Sequence, residues 1–202
     1  MTKTIKLRKK KINESTINPI TKRNSNNEIL SMLETLVAEE LLAWYQYWIP
    51  LNFMNGQDRK SIEEEFRKHA DEELNDHATK LLKRISELGG DASSLMNFEP
   101  KNLSNCQYIE PQAPYSTLQL VCDNIKAEKC AIEHYLALCD YTREKDPTTY
   151  ELAVDILADE EEHLKDLEDF YQDITGESYS DEEENANNLI FISKELLNNM
   201  YR

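Results

Sequence analysis

The sequence predicts an all-α fold: a four-helix bundle whose second and third helices are joined by a long crossover, with a short helix appended at the C-terminus. Three observations point there. The 202 residues include only 4 Gly and 6 Pro, too few for the turns of a sandwich or barrel. Apolar residues recur at helical spacing through four long stretches. The connections between those stretches run short, long, short, which returns each pair of helices antiparallel and carries the chain across between the pairs.

Each element follows from its own residues. Residues 1–25 are basic and rich in Asn, Ser and Thr, with no apolar period, and read as a flexible arm. From Glu28 onward Ile29, Leu33, Leu36, Val37 and Leu41 mark a first helix, disturbed at Pro50 and ending near Asn55-Gly56. The second begins near Asp58, an N-cap residue, carries Ile62, Phe66, Leu74, Leu81 and Ile85, and stops at Gly89-Gly90. Residues 91–114 hold three of the six prolines and no sustained period, which makes them the crossover. A third helix follows Pro114. The fourth is capped by Asp146 with Pro147 at its first position, and ends at Gly176. Residues 26–176 thus form the bundle, a ferritin-like topology, and residues 177–202 an acidic linker with a last apolar helix, LIFISKELL.

Charge narrows the function. Residues 1–23 hold eight basic residues against Glu14, a net of +7, so the other 179 residues carry −23 of the total −16. That acidic body attracts cations and repels phosphates. No run reaches about 18 uninterrupted apolar residues, which argues against a membrane span, and no apolar stretch follows MTKTIKLRKKK to make it a secretory signal. The expectation is a soluble, cytoplasmic protein.

Most of the 39 Asp and Glu residues serve as solvated surface, but some sit at helix-face spacing beside the apolar stripe. Glu40 precedes Tyr47 by seven residues on the first helix, and Glu128 precedes Tyr135 by seven on the third. Glu73 and His77 are four apart on the second; Glu160 and His163 are three apart on the fourth. A buried carboxylate costs several kcal/mol unless it is paired or binds a metal. One Glu from each of two helices plus a Glu–His pair from each of the others is a di-metal carboxylate pattern that suits iron, with manganese as the alternative. The Glu73–His77 spacing departs from Glu-x-x-His by one residue, and is met either by a local π-bulge or by the plain i,i+4 face. His69 and His134 are expected to be exposed or interfacial histidines, with an accessory metal role as the alternative.

EELLAWYQYW and DEEEH resemble the helix motifs of bacterioferritin, and the stretch from AEKCAIEHY through DEEEH resembles the Dps-like proteins, also called thioferritins. The resemblance covers roughly residues 28–175, and in that family too the second-helix Glu and His are separated by three residues. It implies two iron ions per subunit, held by Glu40, Glu73, His77, Glu128, Glu160 and His163, with Glu40 and Glu128 bridging. Tyr47 falls where bacterioferritin has a tyrosine bonded to a bridging carboxylate. No haem is expected, because Leu74 lies near the position of a haem-ligating methionine. The resemblance also implies a shell of twelve subunits, oxidation of Fe(II) with hydrogen peroxide as favoured oxidant, and deposition of ferric mineral against oxidative stress.

Four cysteines in a cytosolic chain would ordinarily be reduced and mostly core, which holds for Cys122 and Cys139 among Leu and Val. Cys106 and Cys130 match the family's cysteine pair, and the resemblance makes them a redox pair near the iron site. Two other readings stay open: a peroxidase or manganese catalase without storage, and a DNA-protecting protein that binds through KLRKKK of the basic arm.

Overall fold

The computed structural model describes residues 19–55, 59–91, 93–96, 106, 113 and 115–180. Helix α1 spans Pro19–Leu51. Helix α2 (Arg59–Glu72), a π-helical turn (Glu73–His77) and α3 (Ala78–Glu87) run on as one rod. A single turn, α4 (Ser93–Met96), lies in the crossover, and α5 (Thr117–Thr142) and α6 (Pro147–Thr175) complete the bundle. Helix α1 packs against the second rod and α5, and α5 packs along α6. Among the described residues there is no strand beyond one isolated bridge, Asn55 to Ser116, and no helix is long and apolar enough to cross a membrane.

The helix ends follow their signals. Asp146 accepts a hydrogen bond from the Thr149 amide, with Pro147 at the first helical position. Gly176 ends α6 in the left-handed region, φ 79°, and its amide returns to the Gln172 carbonyl. Gly89, φ 77°, stops the second rod in the same way. Gly90 packs so closely that a Cβ there would meet Leu30 and Ile85 at 2.6 and 2.7 Å.

The first helix differs from the pattern at both ends. It starts at Pro19, seven residues before the predicted bundle boundary, because Pro is pre-organised for a first helical position and no breaker follows it. It stops at Leu51, one residue past Pro50. The rest of the basic arm, residues 1–18, lies outside the described residues. So do Asp58, most of the crossover, and the acidic linker and LIFISKELL helix from 181 onward.

The core divides in two. One cluster gathers Tyr47, Phe66, Ile125 and Leu167; the other gathers Leu33, Leu36, Leu81, Leu138 and Ile156. Between the two, each rod contributes charged residues that are 2% exposed or less: Glu40, Glu73 with His77, Glu128, and Glu160 with His163. A polar layer is thus held in the middle of the bundle by apolar packing above and below.

Candidate metal centre

The helical period brings these six side chains to one point. Glu73 and Glu160 straddle the centre, each placing one oxygen towards each histidine. Glu73 Oε2 lies 3.0 Å from His77 Nδ1, and its Oε1 lies 3.2 Å from His163 Nδ1. Glu160 Oε1 lies 3.3 Å from His77 Nδ1, and its Oε2 lies 3.4 Å from His163 Nδ1. The six form two donor groups, Glu40–Glu73–His77–Glu160 and Glu73–Glu128–Glu160–His163, each with its ligand atoms within 4.8 Å of one another.

The five-residue π turn makes this possible on the second rod. Its wider turn sets Glu73 and His77 on the inner face together, and lets Leu81 and Ile85 beyond it stay on the apolar side. Of the two structural readings of the four-residue spacing, the π turn is the one found.

The outer atoms are equally ordered. His77 Nε2 lies 3.3 Å from Asp159 Oδ2, and His163 Nε2 lies 3.0 Å from Glu72 Oε2, so a partly exposed carboxylate orients each ring with Nδ1 facing inward. Tyr47 donates its hydroxyl to Glu128 across the bundle, and Tyr135 donates to Glu40.

The electrostatics are those of carboxylates and imidazoles crowded together in a buried layer. Burial, reinforced by the charges of Glu160 and Glu73, raises Glu40 and Glu128 well above the ordinary carboxylate range. Burial also pushes on Glu73, but the imidazoles of His163 and His77 beside it outweigh it and hold that carboxyl low. Burial disfavours a charged His163, yet the carboxylates of Glu160 and Glu73 beside it carry its pKa up to about 12, and His77 is raised for the same reason. Burial raises Tyr47 and Tyr135, which keeps both hydroxyls protonated donors. Even so, both Glu160 oxygens, Glu73 Oε1 and His163 Nδ1 are buried without a hydrogen-bond partner. Divalent or trivalent ions satisfy such oxygen and imidazole donors, and the residues present therefore fit a pair of them.

The sequence pattern named these six residues and Tyr47, and the structure brings all seven together. Two expectations need correction. Glu73 and Glu160, not Glu40 and Glu128, belong to both donor groups; Glu40 and Glu128 each serve one, so Tyr47 is bonded to a one-sided carboxylate. Residue spacing reports which face a side chain occupies and not whether its two oxygens straddle the centre. His69 is neither exposed nor interfacial but wholly buried, stacked on His163 with ring centroids 4.1 Å apart, and burial pulls its pKa down to about 3. Among residues not put forward as ligands or partners, Tyr135 was signalled by the Glu-x6-Tyr repeat on the third helix. Glu72 and Asp159 carried no signal beyond adjacency to Glu73 and Glu160.

Cys106 and Cys130 form a disulfide, while Cys122 and Cys139 are free and buried. A cavity of about 30 Å³, room for a water, is lined by Glu40, Glu73, Glu128 and Glu160 together with Glu39 and Cys106. His134, partly exposed, sets Nδ1 2.8 Å from Glu39 Oε2 and 3.7 Å from Cys106 Sγ.

Residues 30–176 match the Ferritin family, described as a ferritin-like domain. The DNA protection during starvation protein of Pyrococcus furiosus is 33% identical over 138 residues, 67% of this chain and 72% of that protein. The dodecameric thioferritin of Bacteroides fragilis, a bacterioferritin-related protein, is 37% identical; the match covers 74% of this chain and 87% of that one, with a TM-score of 0.68. The Desulfovibrio desulfuricans bacterioferritin, whose diiron site has been described, shares the fold at 23% identity, covering 77% of this chain and 84% of that one, TM-score 0.63.

Proposed function

The chain belongs to the ferritin-like family, and from that premise we propose that it is a ferroxidase and iron-storage protein. Its substrates are Fe(II) and an oxidant, hydrogen peroxide before oxygen, and its product is ferric mineral kept inside a hollow homo-oligomeric shell. The observation that carries this reading is the pair of donor groups sharing Glu73 and Glu160. Two ions held by shared carboxylates form a two-electron unit, which is what peroxide requires.

Glu40, Glu73, His77 and Glu160 would hold one Fe(II), and Glu73, Glu128, Glu160 and His163 the other. Each Fe(II) gives one electron; two electrons and two protons convert one peroxide to two waters. The protein's own groups prepare the site. Tyr47 and Tyr135 each fix one oxygen of Glu128 and Glu40 and leave the other for an ion. Protons held on Glu40 and Glu128 are given up when cations enter. Asp159 and Glu72 keep the two imidazoles turned inward.

The Bacteroides thioferritin is a dodecamer, and the same assembly is proposed here. Tyr45, Trp48, Ile49 and Phe53 of this chain, 40–59% exposed near the end of α1, supply apolar surface for subunit contact. The Cys106–Cys130 pair, on the cavity that Cys106 shares with the carboxylates, would start as the dithiol and give two electrons and two protons to one peroxide, forming the disulfide and two waters. Thiol titration of the reduced protein before and after peroxide tests this; an unchanged count contradicts it.

Anaerobic loading of the protein with Fe(II), followed by peroxide or oxygen in separate runs, tests the whole reading. Fast ferric absorbance with peroxide, hundreds of irons co-eluting with a large species, and loss of both in Glu128→Ala are expected. Peroxide turnover with about two irons per chain and no mineral would instead make it a peroxidase. A second reading, DNA protection, is favoured by the Pyrococcus relative and by the +7 charge of residues 1–23. It requires salt-sensitive retardation of DNA by the full chain that disappears when residues 1–23 are deleted.

A further inference from the structure

His69 presents a problem that the di-metal centre leaves unsolved. It is 0% exposed, and neither ring nitrogen has a hydrogen-bond partner. Its ring packs well, stacked on His163 and edge-on to Tyr47 at 5.3 Å, but packing does nothing for two orphaned nitrogens. Phe66 one turn earlier shows that the fold can place a phenyl ring in this part of the core.

The nitrogen Nε2 is aimed at two carboxylates on the partly exposed side. Glu65 Oε1 and Asp166 Oδ2 each lie 3.5 Å from it, too far for a good hydrogen bond. Bonds of about 2.1 Å from one ion, meeting near the tetrahedral angle, hold donor atoms about 3.4 Å apart. The three atoms lie within 4.8 Å of one another, a group distinct from both halves of the di-metal centre. Lys68 is the competitor: its Nζ is 3.1 Å from Glu65 Oε1 and 3.8 Å from Glu162. Lys68 is 46% exposed, however, and free to swing away, whereas His69 is not.

We propose that Glu65, His69 and Asp166 form a third metal site that takes one divalent first-row transition ion, completed by water on its open side. One imidazole and two carboxylates suit Fe(II), Mn(II), Co(II) or Zn(II) and give a hard cation such as Mg(II) little reason to choose the histidine. Because His69 lies against His163, the site stands at the outer edge of the di-metal layer, where an ion arriving from solvent is held beside the centre before entering it.

Co(II), which resists oxidation, is the probe. Wild-type protein, Glu65→Gln/Asp166→Asn and Glu128→Ala are equilibrated with Co(II) and counted, and crystals are examined by anomalous diffraction at the cobalt edge. The carboxylate variant changes partly exposed atoms only, so it avoids the cavity that truncating His69 would open. Three ions per wild-type chain are expected, with one anomalous peak bonded to His69 Nε2. The carboxylate variant loses that peak, its site weakening at least tenfold, and keeps the other two. Glu128→Ala keeps the His69 peak while its di-metal occupancy falls, which separates this site from the proposed ferroxidase centre. No peak at His69 in the wild type, or an undiminished one in the carboxylate variant, overturns the proposal.

Discussion

Tyr47 and Tyr135 do for the carboxylates what no residue on the surface has to do: each hydroxyl secures one oxygen of a buried Glu across the bundle. Tyr135→Phe leaves a Glu40 oxygen unpaired, and a loss of about 1–2 kcal/mol of apoprotein stability is expected. Metal binding should weaken several-fold while the fold persists; far-UV circular dichroism and Co(II) titration read the two effects. Asp146 offers a test away from the metals. It caps α6 and meets Arg84 Nη2 with both oxygens, at 2.9 and 2.7 Å, and the Thr149 and Arg84 bonds overcome burial to hold its carboxyl below 3.8. The unfolded chain therefore takes up that proton first, so Asp146 contributes fully above about pH 5 and the contribution is lost as pH falls through and below 3.8. Asp146→Ala should cost about 2 kcal/mol at pH 7. Asp146→Asn keeps a cap but flattens the acid limb of the stability curve; an unchanged acid limb contradicts the assignment. At this scale the six inward-facing Glu and His residues were legible because burial of a carboxylate at helical spacing demands a reason. The pair common to both donor groups and the burial of His69 were not, since spacing fixes direction and not depth.

Among the elements, the second rod carries the sharpest test. If the π turn is one residue inserted into an α-helix, removing the exposed Asn75 restores 3.6 residues per turn and returns Glu73 and His77 to a Glu-x-x-His spacing. Phe66 before it and Leu81 after it keep their faces. The Asn75 deletion is therefore expected to fold and to bind metal ions at the di-metal centre in unchanged number. Deleting Lys68 from the regular part of α2 instead turns every upstream residue by about 100° against the core and should unfold the rod. Equal damage from both deletions, by thermal melting and metal count, would refute the insertion. The sequence left the π-bulge and the plain helical face open because an i,i+4 pair satisfies either locally; only the downstream register of Leu81 and Ile85 separates them. The ends of α3 and α6 were legible because Gly89 and Gly176 take conformations that other residues resist. The start of α1 was not, because residues 19–25 carry no apolar period.

For the whole molecule, the proposed shell would cover the exposed aromatic surface near the end of α1 with copies of the same chain. Trp48, 40% exposed, lies beside Arg67 with its guanidinium 5.6 Å from the ring. Trp48→Glu should leave the helical content intact but shift size-exclusion and native mass spectra from the shell to small species, and abolish mineral retention without abolishing metal binding. An intact shell in that variant would place the contact elsewhere. The bundle itself was legible from four apolar stripes and a long crossover, whereas its assembly is not, because a contact surface has no period of its own. The shell depends on something more local, the proposed pair of ions that would share Glu73 and Glu160 inside one bundle. Iron-edge anomalous diffraction from crystals soaked anaerobically in Fe(II) tests it most directly. Two peaks are expected within a single subunit, one bonded to His77 and one to His163, with Glu73 and Glu160 touching both; a lone peak, or peaks shared between subunits, would contradict the shared pair.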